Sequence, residues 1–217
     1  TGVTVVNATG SIQGSTLTIN YGAGTNPGAA SITVKVTDSE GQVDDATVVI
    51  SIDEPEFEVD VTSNISENLT WTSDKVYILG GRITVLNGVT LTIEPGTIIK
   101  GEAGTGANAT ALLIARGAKL SAEGTADKPI IFTSVADEIS PEDIAAGNFG
   151  SPNLDPDING LWGGVIVLGK APVSASNEAG DVTEIQIEGI PTSDQNGLYG
   201  GNEPGDNSGV LKYVSIR

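Results

Sequence analysis

Ile83-Thr-Val-Leu-Asn-Gly88 returns 29 residues later as Leu112-Leu-Ile-Ala-Arg-Gly117, and again as Val165-Ile-Val-Leu-Gly169. An apolar run closed by glycine and reissued with different loops between is the signature of a coiling β-solenoid, in which each turn buries its apolar side against the next. The residues after the first glycine repeat too. Asn87-Gly-Val-Thr-Leu-Thr-Ile-Glu94 aligns with Arg116-Gly-Ala-Lys-Leu-Ser-Ala-Glu123 at the same offset of 29. Asn-Gly between β-rich runs is also the strongest short hairpin signal, and that local reading would fold residues 89–93 back on 83–86. A corner recurring at one offset accounts for both copies, whereas a hairpin accounts for one. Asn87-Gly88, Pro95-Gly96, Gly101 and Gly117 supply positions that tolerate positive φ, and these are the expected corners.

The coils differ in their insertions. Residues 101–110 are glycine-rich and residues 136–160 form a long segment, and loops of that size are where function is carried. Ser140-Pro-Glu-Asp-Ile-Ala-Ala146 combines a hydroxyl cap, a first-turn proline and acids against the helix dipole, which predicts a short helix.

Residues 1–52 read differently, as short strands at 3–7, 16–20, 31–37 and 46–52 separated by Gly, Asn, Pro and Asp turns. Ile32-Thr-Val-Lys-Val-Thr37 alternates, as one face of an antiparallel sandwich requires. With Val36-Thr-Asp-Ser-Glu-Gly-Gln42 before Thr47-Val-Val-Ile-Ser-Ile52, it resembles immunoglobulin-like or cadherin-like repeats of bacterial surface proteins. Four strands of the usual seven make it a partial module. Asp53-Glu-Pro-Glu-Phe-Glu58 is an acidic linker, and the second domain runs over 59–217. The fold class is therefore all-β, a right-handed parallel β-helix preceded by a partial sandwich. A strand pattern running to Ile216, together with the absence of a starting methionine, predicts that the chain is a piece of something longer, incomplete at its carboxy terminus.

Ten Lys and Arg stand against 28 Asp and Glu, a net charge of −18 that repels phosphate backbones and anionic lipid. Nucleic acid is excluded as a partner, and no stretch approaches the ~20 apolar residues of a membrane span. Cys, His and Met are absent, which removes thiol nucleophiles, disulfides, zinc ligation and the base of a hydrolytic triad. The Gly, Thr and Asn richness with few lysines leans towards an extracellular setting.

The combined motifs Asn68-Leu-Thr-Trp-Thr72, Val76-Tyr-Ile-Leu-Gly80, Gly88-Val-Thr-Leu-Thr-Ile-Glu-Pro-Gly-Thr-Ile-Ile-Lys-Gly101, Pro129-Ile-Ile-Phe-Thr-Ser134, Leu161-Trp-Gly-Gly-Val-Ile-Val-Leu-Gly-Lys-Ala-Pro172 and Ser208-Gly-Val-Leu-Lys-Tyr-Val-Ser-Ile-Arg217 resemble secreted, pectate-lyase-like β-helix proteins of Bacteroidetes-type bacteria. The resemblance covers about residues 62–217. It implies a right-handed parallel β-helix on a protein exported to the cell surface, often by a type IX route. It carries over no catalytic residue.

Asp155-Pro-Asp-Ile-Asn-Gly160 places Asp155, Asp157 and Asn159 at alternate positions, the first half of a calcium loop. Ile166 stands where an EF-hand needs its bidentate Glu, so a looser Ca2+ site is the expectation, against a polar turn as the plainer reading. Asp38, Glu40, Asp44 and Asp45 read as a hairpin turn before a metal junction. Tyr199 with Glu203 and Asp206 forms an acidic, aromatic loop suited to a sugar ring. Trp162 between Leu161 and Gly163-Gly164 reads as a core plug ahead of an exposed platform. Asn-x-Ser/Thr triplets at Asn7, Asn64, Asn68 and Asn108 read as chance. Arg82, Arg116, Lys100, Lys119, Lys170 and Lys212 form no constellation in sequence, and Thr90-Leu-Thr92 is answered by Lys119-Leu-Ser121, which breaks any flat threonine ladder.

The expected function is a non-enzymatic, adhesin-like surface protein presenting β-helix loops to extracellular glycans or other surface proteins. The alternative is a polysaccharide-acting lyase or hydrolase, which a cleft with three or more acids plus Lys or Arg would favour.

Overall fold

The computed structural model describes residues 57–217 with their side chains, that of Ala107 excepted, residues 40–42, and the backbone of residues 9–13, 16–20, 28–37 and 43–52. The chain divides into two compact units, Thr1–Glu56 and Phe57–Arg217. In the first, β1 (Thr9–Gln13) pairs antiparallel with β2 (Thr16–Asn20), and β3 (Gly28–Thr37) with β4 (Val43–Ile52). The strands expected at 16–20, 31–37 and 46–52 are present, the last two extended, and 9–13 is an additional strand. Thr37 pairs with Val43 across a turn in which Glu40 and Gly41 are described, Gly41 with φ +84°, so the segment between β3 and β4 closes a hairpin. The expected strand at 3–7, Asp38 and residues 53–56 of the linker lie outside the described residues.

The second unit winds forward in coils of three strands. The first coil comprises β5 (Glu58–Val61), the single bridging residue Ile65 and β6 (Leu69–Trp71). The second comprises β7 (Val76–Leu79), β8 (Arg82–Val85) and β9 (Thr90–Ile93), and the third β10 (Ile98–Gly101), β11 (Ala111–Ile114) and β12 (Lys119–Glu123). The fourth begins with β13 (Ile130–Ser134) and leaves the coil for an insertion bearing α1 (Pro141–Ala145), then returns as β14 (Val165–Val167). It leaves again through two small antiparallel ribbons, β15 (Ala175–Asn177) with β16 (Gly180–Val182) and β17 (Glu184–Gln186) with β18 (Leu198–Gly200). It closes with β19 (Gly209–Lys212), and β20 (Val214–Ile216) opens the next turn.

Like strands stack into three parallel sheets: β5-β7-β10-β13-β20, β8-β11-β14, and β6-β9-β12-β19. The offset of 29 is the register itself. Ile83 pairs with Leu112, Leu112 with Val165, and Leu91 with Leu120. Because β8 and β9 belong to different sheets, the hairpin reading of Asn87-Gly88 is excluded. Gly88 and Gly117 share φ +84°, and the Gly88 N–H donates to the Gly117 carbonyl at 3.0 Å, so one corner is bonded to the next.

The prism is filled by side chains that repeat every second residue on each sheet, including Leu79, Val85, Leu91, Ile99, Leu112, Ile114, Leu120 and Phe132. Trp71 and Tyr77 stack inside it with ring centroids 4.6 Å apart, and the Tyr77 hydroxyl accepts from the Thr72 N–H at 2.9 Å. Leu69, in the same inward column as Leu91, is exposed, while Trp71 on the same strand and Ile65 of the same coil are buried.

The insertions cover the outer faces of two sheets. Ile139, Ile144 and Phe149 of the first pack on Val76, Ile78, Ile98 and Ile131. Its helix carries the expected capping box, with Ser140 Oγ accepting from the Asp143 N–H and the Asp143 carboxylate accepting from the Ser140 N–H. Ile187 and Ile190 of the second, together with Leu168 of the coil, pack on Leu113 and Ala115 of the β11 region.

One expected corner is corrected. Gly101 ends β10 without positive φ; it is small because Trp162 lies on it, and a Cβ there would come within 2.6 Å of Trp162 Cε3. Trp162 packs half-buried against the prism core, and its Nε1 donates to the Arg217 carbonyl at 2.8 Å.

Candidate functional site

Asn87 and Arg116 occupy equivalent positions beside the corner glycines of successive coils, and Lys170 follows the corresponding run of the next. Register thus places them along one edge of the prism, where the second insertion, residues 171–208, faces them. That insertion is fastened to the coil. Arg82 donates to Asp194 Oδ2 at 2.9 Å, the Lys170 N–H donates to Asp206 Oδ2 at 2.7 Å, and the Gly200 N–H donates to the Gly169 carbonyl at 2.9 Å. Burial would raise the Asp194 carboxyl, but the Asn196 N–H and the Arg82 guanidinium outweigh it and hold the pKa below the usual carboxylate range.

Between the two walls lies a polar cavity of about 450 Å³. Asn87, Ala115, Arg116 and Lys170 line it from the scaffold; Glu184, Gln195, Asn196 and residues 200–203 line it from the insertion. Arg116 Nη1 lies 2.8 Å from Glu184 Oε1 and donates to the Gly200 carbonyl at 2.7 Å. Lys170 Nζ lies 3.6 Å from Glu203 Oε1. Two cations are matched by two carboxylates, and the remaining lining side chains are chiefly amides that both donate and accept.

Of the expected sugar-gripping residues, Glu203 lines this cavity. Asp206 is spent on the Lys170 N–H, and Tyr199 packs half-buried with the cluster around Leu113 and Leu168. Asp155, Asp157 and Asn159 stand exposed on one turn, where Asp155 Oδ1 accepts from the Asp157 N–H at 2.9 Å. Asp155 and Asn159 line a second, largely apolar cavity of about 670 Å³ beside Leu154, Ile158 and Trp162. Among the described residues no group of three or more Asp and Glu gathers as a metal centre. Asn64 and Asn68 have structural work: their Oδ1 atoms accept from the Thr84 and Thr90 N–H groups at 2.9 and 2.8 Å, tying the first coil to the second.

A second polar constellation stands on the outer face of the first sheet. Register aligns Lys100 with Thr133, and Arg217 follows Ile216, the partner of Phe132. Asp137 meets all three. Its wholly buried carboxylate accepts from Thr133 Oγ1 at 2.8 Å, Ser151 Oγ at 2.9 Å, the Ile139 N–H at 3.0 Å and Arg217 Nε at 3.2 Å, while Lys100 Nζ donates to its carbonyl at 2.7 Å. Burial alone would raise this carboxyl; the four donors prevail and hold it below the ordinary aspartate value. Asp137 is thus a staple joining the first insertion to the last strands.

The sequence did not single out Arg116, Glu184 or Asn196 as site residues. In sequence, Asn87 and Arg116 share one repeat position, and Arg116 is one of the scattered basic residues that form no constellation. The signal that Glu184 faces Arg116 lies in an insertion whose path no periodicity specifies.

A family model described as "Pectate-lyase like beta helix domain" matches residues 63–217. No curated protein and no solved structure matched the chain.

Proposed function

We propose, since the chain belongs to the family of pectate-lyase-like β-helix domains, that it is an extracellular or outer-surface protein whose groove between the coil edge and residues 171–208 binds glycans without turning them over. One observation carries this reading. Each basic side chain of the groove is engaged by a carboxylate, Arg116 by Glu184 and Lys170 by Glu203, leaving neither side of a proton-transfer pair unpaired there. The groove also has two lining carboxylates rather than the three or more expected of a polysaccharide-acting cleft. The convergence of Arg116 and Lys170 on those acids is what favours the alternative, a lyase or hydrolase.

Incubating the chain with a panel of plant and microbial glycans, and measuring retention together with newly formed reducing ends and unsaturated products, separates the readings. Retention without product is expected. Product formation replaces the binding reading with the enzymatic one, and absence of retention removes both.

On the same reading the first unit is an immunoglobulin-like spacer, export follows a type IX route, and the Asp155-Asp157-Asn159 loop takes Ca2+ through oxygens at alternate positions. Calcium should then raise the melting temperature while magnesium does little. Identical melting curves in calcium and in chelator would remove the metal.

A further inference from the structure

We infer that the groove selects neutral glycan chains and that Glu184 and Glu203 are the residues that reject acidic ones; this rests on the glycan-binding reading above. The scaffold wall alone, with Asn87, Arg116 and Lys170, is cationic and would attract a sugar carboxylate. The insertion reverses that preference. It brings Glu184 to 2.8 Å from Arg116 and Glu203 to 3.6 Å from Lys170, so both positive charges are satisfied within the protein.

An acidic sugar would have to displace a tethered glutamate, which competes at high effective concentration, and then lie beside it. Both glutamates are well exposed, at 48% and 62%, so their charge reaches any occupant. The net charge of −18 repels a polyanion before contact. What a ligand meets instead is the amide set of Asn87, Gln195, Asn196 and Asn202; Gln195 already donates to the Thr192 carbonyl and Asn196 to Asp194 Oδ1, and the capacity left on these amides to donate and accept matches hydroxyl groups. A site of this kind discriminates by hydrogen bonding rather than by charge.

The test is calorimetric titration of the full chain, and of its Glu184→Gln/Glu203→Gln form, with cello- and xylo-oligosaccharides and with oligogalacturonate of equal length. The unaltered chain should bind a neutral oligosaccharide at least about tenfold more tightly than oligogalacturonate, with an affinity indifferent to salt. The double variant should gain about tenfold or more for oligogalacturonate, and added salt should abolish the gain. Both side chains are exposed, so its melting temperature should match that of the unaltered chain; Glu203→Gln alone gives a smaller gain and serves as the second variant. Preference of the unaltered chain for oligogalacturonate overturns the inference and leaves glycan binding intact. Failure of the variants to gain acidic binding removes the selective role of the glutamates, and binding of neither class removes the glycan reading itself.

Discussion

Asp137 keeps a carboxylate in a site without water access because four donors converge on it from three separate segments. Removing one partner of such a network leaves the others unsatisfied in a low-dielectric setting. Asp137→Asn should therefore cost about 2–4 kcal/mol in urea unfolding, where a surface aspartate would cost nearly nothing. Folding lowers the carboxyl's pKa, so on acidification the unfolded chain takes up the proton first. The stabilisation is complete above the ordinary value of about 3.9 and is lost as pH falls through the lower folded value. Denaturant midpoints measured downward from pH 5 should fall more steeply for the unaltered chain than for Asp137→Asn; parallel curves would show that the staple carries no charge. Gly117 is constrained otherwise. Its φ of +84° disfavours any Cβ, and a Cβ there would run into the Asn87 amide and lie 2.8 Å from Lys170 Cε. Gly117→Ala should cost about 1–3 kcal/mol and weaken glycan retention as the groove wall shifts.

At the scale of strands, the three sheets show why the repeat was readable. A coil is stable only if Leu, Ile and Val fall at the same point of each turn, so Ile83, Leu112 and Val165 carry their alignment in their own sequence. Leu112→Ala, at a wholly buried position, should cost about 2–5 kcal/mol, whereas Thr92→Ala on the outer face of the third sheet should change stability by less than about 0.5 kcal/mol. The insertions were not readable in this way. Residues 171–208 contain short ribbons and are held by contacts far apart in sequence, such as Arg82 with Asp194 and Arg116 with Glu184. Scattered basic residues therefore became two constellations only once coiling brought them together. Gly101 misled for the same reason: its role depends on Trp162, sixty-one places along the chain, and no local pattern links the two.

For the molecule as a whole, the groove depends on the coil holding one wall while an insertion supplies the other, and hence on the chain winding forward with a constant register. Because the protein has no cysteine, that geometry is open to direct chemical measurement. Neighbouring strands lie about 4.8 Å apart, within the span of a disulfide, while a displacement of two residues carries the Cα atoms beyond about 7 Å. Thr90→Cys/Lys119→Cys and Thr92→Cys/Ser121→Cys, both on register partners of β9 and β12, should close rapidly under mild oxidation. The crossed pairs, Thr90→Cys/Ser121→Cys and Thr92→Cys/Lys119→Cys, should stay reduced. Rapid closure of the crossed pairs with the register pairs left open would mean antiparallel neighbours, and would contradict the parallel prism from which the groove is built.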